Sequence, residues 1–241
     1  MLEAAKAPQR LIVTPILIGL NVAVFVAMVA SGVSLTSPDI GALMKFGANN
    51  GVAVVVNHEW WRPFTAMFVH VGGLHLLVNM YSLWQVGAFV ERLLGRTMLT
   101  AVYVLTGLAA SFASIMWNPI GISAGASGAI FGLFGIITGF TIRARHALPP
   151  TTLSALRSSI VTTLGFNLLF VATMPFLDHA AHAGGFVAGV LAGVVATSSA
   201  LESDLKRPRW SSLLVVLATV VGLAVLADTR TKNLPKTAAR L

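Results

Sequence analysis

Gly125-Ala126-Ser127-Gly128 lies within a long apolar run, residues 97–142, in which no side chain carries a charge. In the whole chain, 56% of the residues are hydrophobic and only 10% are charged, and the mean hydropathy is +0.84. Charged residues make up roughly a quarter of a soluble domain. The chain is therefore predicted to lie in a lipid bilayer. In that setting the polar side chain of Ser127 is expected to have a specific role.

Seven segments are long and apolar enough to cross a membrane, which takes about 20 residues in a helix. They are residues 11–30, 74–90, 97–117, 120–142, 158–177, 180–201 and 210–227. The sequence thus predicts an all-α fold, a polytopic membrane helical bundle with a six-helix core and a seventh transmembrane helix. The predicted divisions are a cytoplasmic N-terminus at 1–10, the core at 11–201, a linker with the seventh helix at 202–227, and a basic tail at 228–241.

The net charge of +8 is explained by basic residues clustered beside span ends, as the positive-inside rule distributes them. We infer no nucleic-acid partner from it. The N-terminus is predicted to be cytoplasmic, and seven spans then leave the basic tail outside. Removal of the first span as a signal peptide, with cleavage near Ser31, is an open alternative. The absence of cysteine excludes disulfides, thiolate metal sites and cysteine nucleophiles.

Three polar residues share one predicted depth. In this topology the second, fourth and sixth spans all run inward, and His75, Ser127 and His182 lie near their outer ends. All three fall in the outer half of the bilayer, within about three helical turns of its surface. A site built from them would open to the extracytoplasmic side.

Ser127 and His182 form the minimal set for nucleophilic catalysis, because a serine hydroxyl needs a neighbouring base to take its proton. Small residues four positions apart allow two membrane helices to approach closely. Gly128 and Gly132 form such a strip on the fourth span, and Gly185, Gly189 and Gly193 form one on the sixth. The spacing of His182 from Gly185 places the imidazole on the same face, towards the fourth span.

Attack on an amide carbonyl also needs donors for the oxyanion. His75 and Asn79 are spaced i, i+4 on one face of the second span, and the N–H of Ser127 is a third candidate if this residue begins a helix. Asp178 lies four residues before His182; it either reaches the imidazole or serves the loop. We therefore expect a dyad rather than a triad.

Other interpretations of these residues remain open. Ser127 could hydrogen-bond a carbonyl of its own helix, His182 could be a core histidine or transfer protons, and Asn79 could join two helices. A zinc site formed by His75, His179 and His182 is a further alternative. The H-E-x-x-H zinc signature is absent, since no second histidine follows His58-Glu59 at that spacing.

Together, Gly125-Ala126-Ser127-Gly128, His75-x-x-x-Asn79 and Ala181-His182-x-x-Gly185-x-x-x-Gly189 resemble the rhomboid family of intramembrane serine proteases. The resemblance covers roughly residues 55–195 and also includes Trp61-Arg62 in the first loop, His70, and Glu91 with Gly95. It implies an open-topped bundle with Ser127 as the nucleophile and His182 as the general base. It further implies His75 and Asn79 as oxyanion donors, with no metal or cofactor.

The resemblance also assigns a place to Phe131, where the family often carries an aromatic ring that packs on the catalytic histidine. The implied substrates are single-span membrane proteins within the lipid bilayer, cut where the span unwinds near the outer surface. The basic connection before the fifth span and Met174-Pro175-Phe176 are predicted parts of a gate. The rival hypotheses are a non-catalytic rhomboid-like binder of membrane proteins and a proton-linked transporter.

Overall fold

The computed structural model describes residues 10–143, 145, 149–151, 153–154, 157–158, 160–162, 165, 178–198 and 210–234. Within these residues the chain forms eight α-helices and one isolated antiparallel bridge. The helices are α1 Val13–Ala30, α2 Ile40–Lys45, α3 Arg62–Thr65, α4 Gly73–Leu94, α5 Arg96–Trp117, α6 Ser127–Arg143, α7 His179–Ser198 and α8 Trp210–Lys232. The predicted all-α polytopic bundle is confirmed.

Three helices are long and apolar enough to cross a membrane by themselves: α1, α5 and α8. A fourth candidate is the pair formed by Arg62–Phe68 and Gly73–Leu94, which is bent by 92°. Two shorter apolar helices, α6 and α7, lie at the predicted fourth and sixth spans. The predicted fifth span, 158–177, and the proposed gate at Met174 to Phe176 lie mostly or wholly outside the described residues.

The fourth span was predicted to begin at residue 120, and this boundary is wrong. The helix begins at Ser127, because the preceding residues are held in a non-helical path. Ser123 and Asn49 exchange two backbone hydrogen bonds of 2.8 and 3.0 Å, and the N–H of Gly125 donates to the carbonyl of Ala66 at 2.9 Å. The first backbone N–H group of α6 is therefore that of Ser127.

The connection between α1 and α4 contains two short helices, α2 and α3. A π-helical turn, Val52–Val56, and a 3₁₀ turn, Ala66–Phe68, lie on either side of α3. The carbonyl of Pro63 accepts a hydrogen bond from Ser111 Oγ of α5 at 2.8 Å. The loop thus packs on the bundle and supplies Asn49, which pairs with Ser123 in the isolated bridge.

Helix α6 lies at the centre of the bundle, in contact with α4, α5 and α7, while α8 packs against α5 and α7. Gly185 and Gly189 of α7 lie so close to α6 that an added side chain would overlap the carbonyls of Gly128 and Gly132. This is the close approach that the glycine spacing of α7 predicts.

The predicted glycines of α6, Gly128 and Gly132, contact α7 through their carbonyl groups, while side chains added to them would meet chiefly Ala110 and Thr106 of α5. Two further glycines of α6 that were not predicted, Gly135 and Gly139, also lie against the backbone of α7. Helix α6 therefore has small residues on two faces, one for each of its two close neighbours.

Candidate active site

The imidazole of His182 lies within hydrogen-bonding distance of the Ser127 hydroxyl. The Nε2–Oγ distance is 2.8 Å, and the two residues are 55 positions apart in the chain. Ser127 is the first residue of α6, and His182 lies in the first turn of α7 and is 7% exposed. The close packing of these two helices through Gly185 brings the pair together.

The ring of Phe131 fixes one face of the His182 imidazole. The ring centroids are 4.4 Å apart and the planes differ by 12°, a stacked arrangement. Phe131 is itself buried and touches Phe134 edge-on, with centroids 6.3 Å apart. The imidazole is thus held between its contact with the serine and a rigid aromatic wall.

Asp178 serves the helix rather than the imidazole. Its Oδ1 accepts a hydrogen bond from the N–H of Ala181 at 2.9 Å, and its carbonyl accepts one from the N–H of His182 at 3.2 Å. This is the capping arrangement that stabilises a helix N-terminus. Of the two roles left open for Asp178, the structure therefore gives the local one.

His75 and Asn79 line the same cavity as Ser127. The N–H of Val71 donates to His75 Nδ1 at 3.3 Å, so in the neutral ring the proton lies on Nε2. Asn79 is buried, and its Nδ2 donates to the carbonyl of His75 at 2.8 Å. An amide nitrogen carries two protons, which leaves Asn79 one further donor.

Gly125 allows the chain to pass beside His75. The residue has a φ of +128°, and an added β-carbon would lie 2.7 Å from Cε1 and 3.2 Å from Nε2 of the imidazole. Only glycine adopts such a conformation readily. The first glycine of the Gly125-Ala126-Ser127-Gly128 motif is thus explained by a contact that the sequence pattern did not predict.

A cavity of about 510 Å³ joins these groups. Its walls are mostly apolar, and helix α2 contributes Ile40 and Leu43 at one side. Ala110 of α5 and Ile130 of α6 also line the cavity. A volume of this size accommodates a short peptide segment or a small molecule.

Arg62 holds the first loop together through several hydrogen bonds. Its Nη1 donates to the carbonyls of Met44 at 2.7 Å and Ala48 at 3.0 Å, and its Nε pairs with Glu59. The guanidinium also lies over the ring of Trp61, 4.6 Å from its centroid. The guanidinium of Arg62 is thus bound within the loop, to its carbonyls and to Glu59. Trp61 remains half exposed.

Two polar residues of this scaffold were missed in the sequence, and the burial of a third was not predicted. Asn49 Nδ2 donates to the carbonyl of Ser111 at 2.9 Å, and both residues are buried. His70 lies in the loop before α4 and is fully buried, with its ring centroid 5.2 Å from that of His75. Its spacing of five residues before His75 was the available signal.

A zinc site from His75, His179 and His182 receives no support. In the part of the chain that the structure describes, no three His, Cys, Asp or Glu side chains are grouped closely enough to hold a metal ion. His179 is exposed at the beginning of α7 and His58 is exposed in the first loop, whereas His146 lies outside the described residues.

Comparison with known proteins identifies matches along most of the chain. The family model described as Rhomboid domain matches residues 57–199. RHOMBOID-like protein 1 of Arabidopsis thaliana is 37% identical over 166 residues, covering 67% of this chain and 41% of the relative. Rhomboid protease GluP of Bacillus subtilis is 31% identical over 205 residues, covering 85% of this chain.

Putative rhomboid protease YdcA of Bacillus subtilis is 35% identical over 146 residues, covering 60% of this chain and 70% of the relative. The matched part is only 39% of GluP and 50% of RHOMBOID-like protein 2 of Arabidopsis thaliana. The chain thus spans about two fifths to one half of the length of GluP and of RHOMBOID-like proteins 1 and 2.

Proposed function

The chain belongs to the rhomboid family, and from this we propose that it is an intramembrane serine endopeptidase that uses a dyad of Ser127 and His182. The observation that carries the proposal is the 2.8 Å contact between Ser127 Oγ and His182 Nε2 at the wall of the cavity. The names of GluP and YdcA, two bacterial relatives of this chain, support peptidase chemistry.

In the proposed reaction, Ser127 Oγ attacks the carbonyl carbon of a substrate peptide bond while His182 Nε2 accepts the hydroxyl proton. The carbonyl oxygen becomes an oxyanion, and the C–N bond then breaks as the imidazolium gives its proton to the departing amine. The remaining acyl ester on Ser127 is hydrolysed by a water molecule, which loses its proton to His182. As the ester C–O bond breaks, His182 returns this proton to Ser127 Oγ, so that the carboxylic acid leaves and the serine hydroxyl and the neutral imidazole are restored.

Three donors are proposed to stabilise the oxyanion. They are the Nε2–H of His75, the second Nδ2–H of Asn79, and the backbone N–H of Ser127, which has no partner within its own helix. Loss of one such donor typically lowers the rate by about 10²–10³. Phe131 and Gly125 are proposed to act indirectly, by fixing the rings of His182 and His75.

The proposed substrates are membrane proteins cut in or near a single transmembrane segment. A transmembrane helix satisfies its carbonyl groups internally, so the segment must unwind before its amide can enter the cavity. We expect residues with weak helix propensity and small side chains at the cut. The proposed location is the cell membrane, with the N-terminus cytoplasmic and the cavity open to the extracytoplasmic side.

The test is covalent labelling of the purified protein in detergent with a fluorophosphonate, together with cleavage of a generic single-span protein. We expect wild type to label and cleave, and Ser127→Ala and His182→Ala to do neither. Ser123→Ala is the matched control, because Ser123 lines the same cavity and is expected to leave Ser127 labelled. Folded wild type that neither labels nor cleaves in detergent and in liposomes would overturn the proposal in favour of a non-catalytic binder.

A further inference from the structure

A second cleft lies at the end of the bundle opposite the Ser127 cavity. It has a volume of about 360 Å³ and is formed where the beginning of α1 meets the junction of α4 and α5. Its lining residues are Arg10, Leu11, Glu91, Arg92, Gly95 and Arg96. Three arginines therefore line one concave space beside the beginning of α1 and the junction of α4 and α5.

The single carboxylate in this cleft is already engaged by α1. Glu91 Oε1 accepts the N–H groups of Ile12 and Val13 at 2.7 and 3.0 Å, and Oε2 accepts the N–H and hydroxyl of Thr14 at 2.9 and 2.8 Å. Glu91 is 4% exposed, and its oxygens face the helix that they cap. The charge open to the cleft is therefore that of the arginines.

The three arginine side chains differ in whether they already have a partner. Arg96 Nη2 donates to the carbonyl of Arg10 at 3.0 Å, which fixes its position, and its Nε is 3.9 Å from Glu91. The side chains of Arg10 and Arg92 are exposed and make no hydrogen bond or ion pair with the other residues that the structure describes. Within the part of the chain that the structure describes, two guanidinium groups thus remain available to an outside anion.

We propose that this cleft binds the phosphate group of an anionic membrane lipid. Guanidinium groups bind phosphate oxygens through paired, charge-assisted hydrogen bonds, and basic residues beside a membrane attract anionic lipids. Exposed apolar side chains, including Ile16 of α1 and Phe89 of α4, lie within about two helical turns of the cleft. Acyl chains can pack on them while the headgroup occupies the cleft, which favours a lipid over free phosphate.

This proposal is independent of the peptidase reaction, because no residue of the cleft lines the Ser127 cavity. The test is a titration of the delipidated full chain in detergent with dioctanoyl phosphatidylglycerol, read by native mass spectrometry. Inorganic phosphate and dioctanoyl phosphatidylcholine form the two comparison arms. Arg10→Gln and Arg92→Gln are each expected to weaken phosphatidylglycerol binding about tenfold, the loss of a hydrogen bond from a charged group.

Arg143→Gln is the matched control, because Arg143 is also exposed and ends α6 but does not line the cleft. It removes the same charge and is expected to leave the affinity unchanged. Equal weakening by all three variants would overturn the site, since the effect would then come from net charge alone. Binding of phosphatidylcholine or of inorganic phosphate as tight as that of phosphatidylglycerol would overturn the assignment to an anionic lipid.

Discussion

The backbone of Gly125 lies directly against the imidazole of His75. A β-carbon at position 125 would be 2.7 Å from His75 Cε1, closer than real β-carbon contacts, and the φ of +128° already disfavours any other residue. The loop that precedes Ser127 and the ring proposed to stabilise the oxyanion therefore fix one another. The placement of His75 depends on the absence of a side chain two residues before the serine.

Gly125→Ala is expected to lower the rate of fluorophosphonate labelling at least about tenfold, which corresponds to a loss of roughly 1.4 kcal/mol in transition-state stabilisation. The added methyl group must displace the imidazole or the loop. Gly222→Ala in α8 is the control, because a β-carbon there meets no atom within 4 Å. Labelling of Gly125→Ala at the wild-type rate would show that the position of His75 does not matter to the reaction.

Phe131 stacks on His182, and replacing the ring should loosen the base. An aromatic pair contributes about 0.5–1.5 kcal/mol beyond its buried area, so Phe131→Leu is expected to slow labelling about two- to tenfold. Phe131→Tyr keeps the stacked ring and should label at least as fast as wild type. Phe134→Leu removes a ring of the same helix that is equally buried, and a loss as large as that of Phe131→Leu would contradict the stacking argument.

Gly189 lies against the carbonyl of Gly132, where any side chain forces α6 and α7 apart. Gly189→Ala is expected to destabilise the fold by about 1–3 kcal/mol, the usual cost of overpacking, and to reduce labelling because the two helices hold Ser127 and His182. The measurement is thermal unfolding in detergent. Val187→Ala, on the exposed face of the same helix, should melt like wild type. Equal melting temperatures for the two variants would exclude a close glycine contact.

Arg62 joins two carbonyls and one carboxylate of the first loop, an arrangement that needs the several donors of a guanidinium. Arg62→Lys is expected to expose the loop to limited proteolysis, because one ammonium group does not replace those bonds. Trp60→Ala changes a half-exposed neighbour and should leave the loop resistant. If Arg62→Lys resists proteolysis as well as wild type does, the loop is held by its apolar contacts instead.

The pairing of Ser127 with His182 could be predicted because it depends on features within single helices. The i, i+3 spacing of His182 and Gly185 fixes which face of α7 the imidazole shares with the small residues. Hydropathy alone predicted the long apolar helices α1, α5 and α8, since lipid requires continuous helical backbone. The i, i+4 spacing of His75 and Asn79 likewise predicted one face, and both line the cavity.

The features that could not be predicted depend on contacts between distant segments. The beginning of α6 is set by the bridge between Asn49 and Ser123, and apolar residues before Ser127 gave no local sign of it. The burial of His70 arises from the fold of the first loop against α4. A side chain at Gly128 or Gly132 would point towards α5. The sequence could not distinguish contact with α5 from contact with α7, because both helices need small residues at their contacts with α6.

Glu91 links the beginning of α1 to the end of α4, and its removal should test how far stability depends on a site remote from Ser127. Four donors of α1 lose their acceptor in Glu91→Ala, and an unsatisfied buried donor costs about 1–3 kcal/mol. We expect Glu91→Ala to unfold in mixed detergent micelles at a lower denaturant concentration than wild type. Glu91→Gln should unfold at an intermediate concentration, because its amide keeps one acceptor oxygen. Asp228→Asn breaks only the exposed pair with Lys232, which contributes at most about 1 kcal/mol. The folded fraction of Glu91→Ala should still label at Ser127, since the carboxylate lies at the opposite end of the bundle. A stability change no larger than that of Asp228→Asn would show that α1 is held by apolar packing rather than by its cap.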